Sequence, residues 1–277
     1  MSTFSSRLLA AVGEHGPLCA GIDPHPALLA SWGLTDDADG LGRFADACLA
    51  GFAGAVAAVK PQSAFFERHG AGGVAVLERL LAGFAGSGTL TLLDAKRGDI
   101  GSTMDGYADA YLRVGAPLGA DALTLSPYLG FDSLEPALAA ATEAGRGVFV
   151  LARTSNPEGA SVQLAALDGR SVAQAVVDAA GARNAGTEPC GDVGVVVGAT
   201  ADHGLDLSGL HGPVLVPGLG AQGATPADVV SRFAGTDGPV LPVAARAVLA
   251  AGPDPAALRD AARTLADELV AAHAGSH

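Results

Sequence analysis

The sequence predicts a closed (β/α)8 barrel of the TIM type, one domain spanning residues 1–277, and two observations carry that expectation. Short β-branched runs, apolar on both faces, recur along the chain, as parallel strands covered by helices require. Longer Ala- and Leu-rich stretches with helical periodicity lie between them, and the alternation repeats eight times, the count of a closed barrel. The candidate strands are 18–22, 56–60, 89–96, 122–126, 147–152, 193–197, 213–216 and 239–243. The clearest helices are 41–55, 74–85, 103–114, 133–144, 171–183 and 256–272. Shorter ones are expected near 202–207 and 226–233, the latter with Thr225 as N-cap and Pro226 at the first helical position. Periodicity alone fits an open doubly wound sheet as well, and Pro242 inside the last strand counts against the bounds drawn there. No linker divides the chain; the stretch 155–170 is its longest candidate loop, a lid or an insertion.

A formal net charge of −13 with no Lys/Arg cluster argues against a nucleic-acid partner. An anionic ligand would need a positive field made locally by a few placed groups. Cys19, Cys48 and Cys190 form no CxxC pair and no zinc spacing, so free thiols in a reducing cytoplasm are expected and a structural metal is not. The first sixteen residues hold too short an apolar stretch for a signal peptide, and no Ala-rich run reads as a membrane span.

Of the sixteen Lys and Arg residues only Lys60 and Lys96 are lysines, and both fall at the C-terminal end of a candidate strand, where barrel active sites are assembled. Arginine keeps its proton near neutral pH and lysine can give it up, so this placement suits proton chemistry. In the run Asp94-Ala95-Lys96-Arg97-Gly98-Asp99, strand alternation puts Asp94 and Lys96 on one face, and Asp99 lies in the following loop. A surface ion-pair cluster fits that spacing equally well. Other polar residues gather at the same predicted end: Asp23 after the first strand, Ser126 after the fourth, Ser155-Asn156 after the fifth, and Gln222 and Arg246 after the seventh and eighth. The glycine-rich segment 217–223 sits where barrels often bind phosphate, and Arg246 adds a fork suited to one.

Read in order, these segments resemble orotidine 5′-phosphate decarboxylase, in its longer bacterial subfamily. DAKRGDI (94–100) fits that family's D-x-K-x-x-D signature, and VKPQ around Lys60, TSNP (154–157), PGLGAQG (217–223) and Arg246 support it across nearly the whole chain. The resemblance implies a homodimeric barrel, free of metal and organic cofactor, that removes CO2 from a nucleotide substrate to give uridine 5′-phosphate, the last step of pyrimidine synthesis. It implies an alternating charged array of Lys60, Asp94, Lys96 and Asp99, the last reaching in from the partner subunit. It also implies ribose contacts from Asp23 and from Thr103 across the dimer, a pyrimidine contact from Ser155, and phosphate contacts from Gln222 and Arg246. His25, Ser126 and Arg97 receive no role in the chemistry, Arg97 being expected at an interface or behind the site. Magnesium-dependent sugar-phosphate decarboxylases share the signature but, by resemblance, carry an acidic residue where Lys60 stands, and a lysine opposes a cation. A Schiff-base aldolase needs a free amine, which carboxylates flanking Lys96 disfavour. A catalytically silent phosphate-ligand sensor would be marked by loss of a motif lysine or aspartate, and all are present.

Overall fold

Eight parallel strands close on one another in the computed structural model, which describes residues 2–199, 202–220 and 223–275. In chain order they are β1 (Cys19–Ile22), β2 (Ala58–Pro61), β3 (Leu90–Arg97), β4 (Ala122–Leu125), β5 (Gly147–Arg153), β6 (Val193–Val197), β7 (Val214–Pro217) and β8 (Val240–Ala244). β8 returns to β1 with Cys19 opposite Val243, so the barrel sheet itself has no open edge. The doubly wound alternative is thereby set aside.

Pro242 does lie inside β8, in register with Val216 of β7. Val214 donates its amide to the Pro239 carbonyl. By alternation, the amide position of Pro242 faces β1, whose paired segment begins only at Cys19 against Val243. The missing N–H therefore falls where the ladder has not yet started.

Six long helices stand where periodicity puts them: Ala38–Phe52, Gly70–Phe84, Gly101–Tyr111, Glu135–Ala144, Val172–Asn184 and Pro255–Ala274. They cover the strands with an outer apolar layer that includes Leu41, Phe44, Leu77, Leu80, Val177 and Leu258. Pro226–Arg232 starts from Thr225, whose hydroxyl and the Asp228 carboxylate form a reciprocal capping box. The helix expected near 202–207 is absent among the described residues. There the Asp202 carboxylate accepts from Gly204 N at 3.1 Å and Asp206 from Ser208 N at 3.0 Å, and such side-chain bonds compete with a helical backbone. The long loop is not irregular either: it holds a helix, Ala160–Gln163, and a two-stranded hairpin, Ala166–Leu167 with Arg170–Ser171.

Periodicity did not single out the helix Phe4–His15, which covers the N-terminal ends of the strands. Thr3 caps it, Ser5 N donates to Asp192 Oδ1 at 2.7 Å, and Arg7 pairs with Asp121. Its Phe4 and Leu8 complete the inner core with Cys19, Ala58, Leu92, Phe149 and Leu241. Gly147 matters here, because a Cβ at that position would collide with the Phe4 ring. Phe4 meets Phe149 edge-on, with centroids 6.0 Å apart. Phe4→Ala is expected to cost about 3–5 kcal/mol of stability, read as a lowered guanidinium midpoint at unchanged slope.

Candidate active site

The opposite, C-terminal ends of the strands surround a cavity of about 1300 Å³. Its wall includes Asp23 from the end of β1, Lys60 from β2, Asp94 and Lys96 from β3, and Ser155 and Arg246 from the segments after β5 and β8. Sequence reasoning assembled these residues at one end, and the barrel brings them into one chamber. Asp99 and Thr103 are not among the described residues lining it; Asp99 is half-buried in the loop after β3 and Thr103 is exposed. Gln222 lies outside the described residues.

At the centre is one carboxylate between two ammonium groups. Lys60 Nζ donates to Asp94 Oδ2 at 3.0 Å, and Lys96 Nζ donates to Asp94 Oδ1 at 2.6 Å. Lys60 also donates to Gln62 Oε1 at 3.1 Å and stands 3.8 Å from Asp23 Oδ1. That Asp23 oxygen is buried without a hydrogen-bond partner and faces the Lys60 ammonium, while the residue itself lines the chamber.

Asp94 and Lys96 do meet, but not through simple strand alternation. Leu93 pairs with Leu123 and Arg97 with Leu125, so Asp94, Ala95 and Lys96 together stand opposite Thr124 alone. This bulge puts Lys96 at φ 48°, a left-handed conformation that a side-chain-bearing residue rarely adopts. Thr124, buried on β4, accepts from Lys96 N at 2.9 Å and donates to Asp94 Oδ1 at 2.9 Å. Ser126 N then donates to the Arg97 carbonyl at 2.7 Å and restores the ladder beyond the bulge.

Burial raises the pKa of the Asp94 carboxyl, but the ammonium groups of Lys60 and then Lys96 outweigh it and leave the carboxyl at about 2. Burial likewise opposes the Lys60 cation, and Asp94 followed by Asp23 holds its pKa above the ordinary lysine value. The array is therefore charged throughout the neutral range at Asp94 and Lys60. Cys19, buried on β1 near Lys60, has its thiol pushed up to about 12 by that burial and is unreactive filler.

Arg97 turns away from the cavity. Its guanidinium lies 5.7 and 5.9 Å from the Tyr107 and Tyr111 ring centroids and pairs with Glu67, tying the end of β3 to two surrounding helices. His25 packs its ring on Phe65, with centroids 4.2 Å apart, in the chamber wall. Sequence reasoning missed three polar residues that organise the site. Gln62 holds Lys60; Thr124 was signalled only as the one hydroxyl in an apolar strand. Gln163 Oε1 accepts from Thr154 N at 3.0 Å and its Nε2 donates to Thr154 Oγ1 at 2.8 Å, which anchors the turn carrying Ser155.

Because Asp94 titrates lower in the fold than its usual 3.8, its pairing contributes stability above that pH and loses it as pH falls through about 2. The stability advantage of the native protein over Asp94→Asn should be full at pH 6 and shrink by about 2 kcal/mol between pH 4 and 2. Guanidinium unfolding of both proteins across that range checks it.

Residues 16–261 match the family model of orotidine 5′-phosphate decarboxylase / HUMPS, a span that takes in every candidate residue from Asp23 to Arg246. An orotidine 5′-phosphate decarboxylase of Salinispora arenicola is 57% identical over 270 residues, covering 96% of this chain and 97% of the relative. One from Streptomyces coelicolor is 54% identical over 274 residues, covering 97% and 98%. A crystal structure from Streptomyces avermitilis, assigned as an orotidine 5′-phosphate decarboxylase, superposes with a TM-score of 0.94 at 52% identity, covering 99% of this chain and 97% of that one. The structure of Leishmania donovani OMP decarboxylase superposes with a TM-score of 0.74 at 29% identity, covering 98% of each chain.

Proposed function

The chain belongs to the orotidine 5′-phosphate decarboxylase / HUMPS family, and from that premise we propose how its own residues remove CO2 from orotidine 5′-phosphate to give uridine 5′-phosphate, the last step of pyrimidine biosynthesis. One observation carries the reading: a single buried carboxylate, Asp94, bridges two lysine ammonium groups at the wall of the cavity.

The reaction breaks the bond between a ring carbon and its carboxylate. The bonding pair stays on a carbon poorly placed to delocalise it, so stabilisation must come from charge already in position. Lys96 supplies it. Its ammonium faces the developing carbanion, then transfers a proton to that carbon, and the neutral amine recovers a proton from water. Asp94 aims Lys96 and stands beside the departing carboxylate, while Lys60 keeps Asp94 ionised and in place. No metal or organic cofactor takes part in these steps.

Substrate contacts follow the cavity wall. Asp23 accepts from a ribose hydroxyl, Ser155 bonds the pyrimidine and Arg246 holds the phosphate, all three lining the cavity; Gln222 joins Arg246 on the phosphate by the family resemblance. Phosphate binding energy, gained far from the bond that breaks, closes the segment after β5 over the ring and excludes water.

Asp99 and Thr103 serve a second copy of the chain. The support is that neither faces its own cavity, and that exposed Ile100, Tyr128 and Leu129 lie on adjoining loops at this end. Those loops touch: a Cβ on Gly98 would collide with the Ser126 carbonyl. A dimer joined there completes each charged array with the partner's aspartate.

Purified protein should deplete orotidine 5′-phosphate absorbance at the same rate with and without EDTA; no turnover by folded protein, or strict dependence on Mg2+, overturns the reading. Lys96→Ala is expected to lower kcat by at least ~10³-fold while uridine 5′-phosphate still binds, as isothermal titration would show. Mixed Lys96→Ala and Asp99→Ala proteins should regain part of the native activity through hybrid dimers. Confirmed heterodimers without activity would refute shared sites.

A further inference from the structure

The bulge in β3 leaves a backbone amide and a carboxylate in need of partners, and one hydroxyl serves both. Thr124 Oγ1 accepts the Lys96 amide proton at 2.9 Å, so its own proton is committed to Asp94 Oδ1, also at 2.9 Å. Asp94 is thereby held from three sides: Lys96 and Thr124 on Oδ1, Lys60 on Oδ2. Thr124 is 1% exposed, and its register partner on the far side is Phe149 of β5, so the hydroxyl is held where it stands.

We infer that Thr124 is a positioning residue of the decarboxylation, setting the angle of Asp94 and holding Lys96 in its left-handed backbone conformation. The inference rests on the reaction proposed above. Without the hydroxyl, the Lys96 amide has no ladder partner at the bulge, because Leu123 and Leu125 are paired with Leu93 and Arg97. The left-handed conformation then lacks the bond that favours it, and Asp94 is free to rotate about its side-chain bonds with Lys96 attached. The nucleotide's ribose and phosphate contacts do not pass through Thr124, so the loss should fall on the chemical step.

Thr124→Val keeps the shape and removes both bonds; Thr124→Ser keeps both bonds and removes only the methyl. The expected result is a kcat lowered roughly 10- to 100-fold for valine with KM and uridine 5′-phosphate affinity within about threefold of native, and a serine variant within about threefold of native kcat. Should the valine protein not fold, Thr124→Ala read against Thr124→Ser decides by the same split. Native activity in valine or alanine, or a serine variant as slow as valine, overturns the inference while leaving the parent reaction standing. A second readout is independent of turnover: a crystal structure of the variant lacking the hydroxyl should show Lys96 out of the left-handed region or Asp94 rotated. An unchanged Asp94–Lys96 geometry there overturns the inference even if the parent reaction has failed.

Discussion

Everything at the catalytic end of this barrel is arranged around one carboxylate that could not be buried alone. An ionised Asp94 in the strand ends would be strongly unfavourable without partners, and an ammonium at Lys60, 4% exposed, would be no better. Each makes the other tolerable. Such a pair adds little net stability over an apolar substitute, but removing either member strands the other charge. What the arrangement secures is fixed orientation, with Asp94 as the hub through which the two lysines, on different strands, sense one another.

Geometry at the hub comes from a local violation of regular sheet structure. A regular β3 would send Ala95 to the opposite face and space Asp94 and Lys96 along the strand. Instead three residues crowd opposite one, and Lys96 takes a backbone conformation that costs energy elsewhere. The regular strands around it supply the rigidity that holds this irregularity. Ladder pairing resumes at Arg97 with Leu125, and the Arg97 side chain is anchored outside the barrel by Tyr107, Tyr111 and Glu67. The charged motif is therefore divided by direction: Asp94 and Lys96 face the chamber and Arg97 grips the helical layer.

Much of this was legible in the sequence because it rests on periodicity and rarity. Eight doubly apolar runs announced the strands, and two lysines among many arginines marked two strand ends. Thr225-Pro226 announced a capped helix start for the same local reason. What escaped depends on contacts between distant segments. The bulge exists only against β4, so period-two alternation could reach the right pairing of Asp94 with Lys96 by an incomplete route. Thr124 and Gln62 have ordinary compositions and acquire meaning from a neighbour on another strand. The expected helix after β6, absent among the described residues, was lost to Asp side chains that accept from backbone amides two residues on, a competition that hydrophobic spacing does not register.

The first helix has a consequence for traffic. With Phe4 and Leu8 seated among the inward residues of the strands, which include the cavity-lining Val196, Leu215 and Val243, the described residues stopper the barrel below the charged residues. Nucleotide and gas then share the C-terminal side of the barrel. The released CO2 leaves on the same side as the nucleotide that produced it. Any segment that covers that side during the reaction also governs the order in which the two products depart.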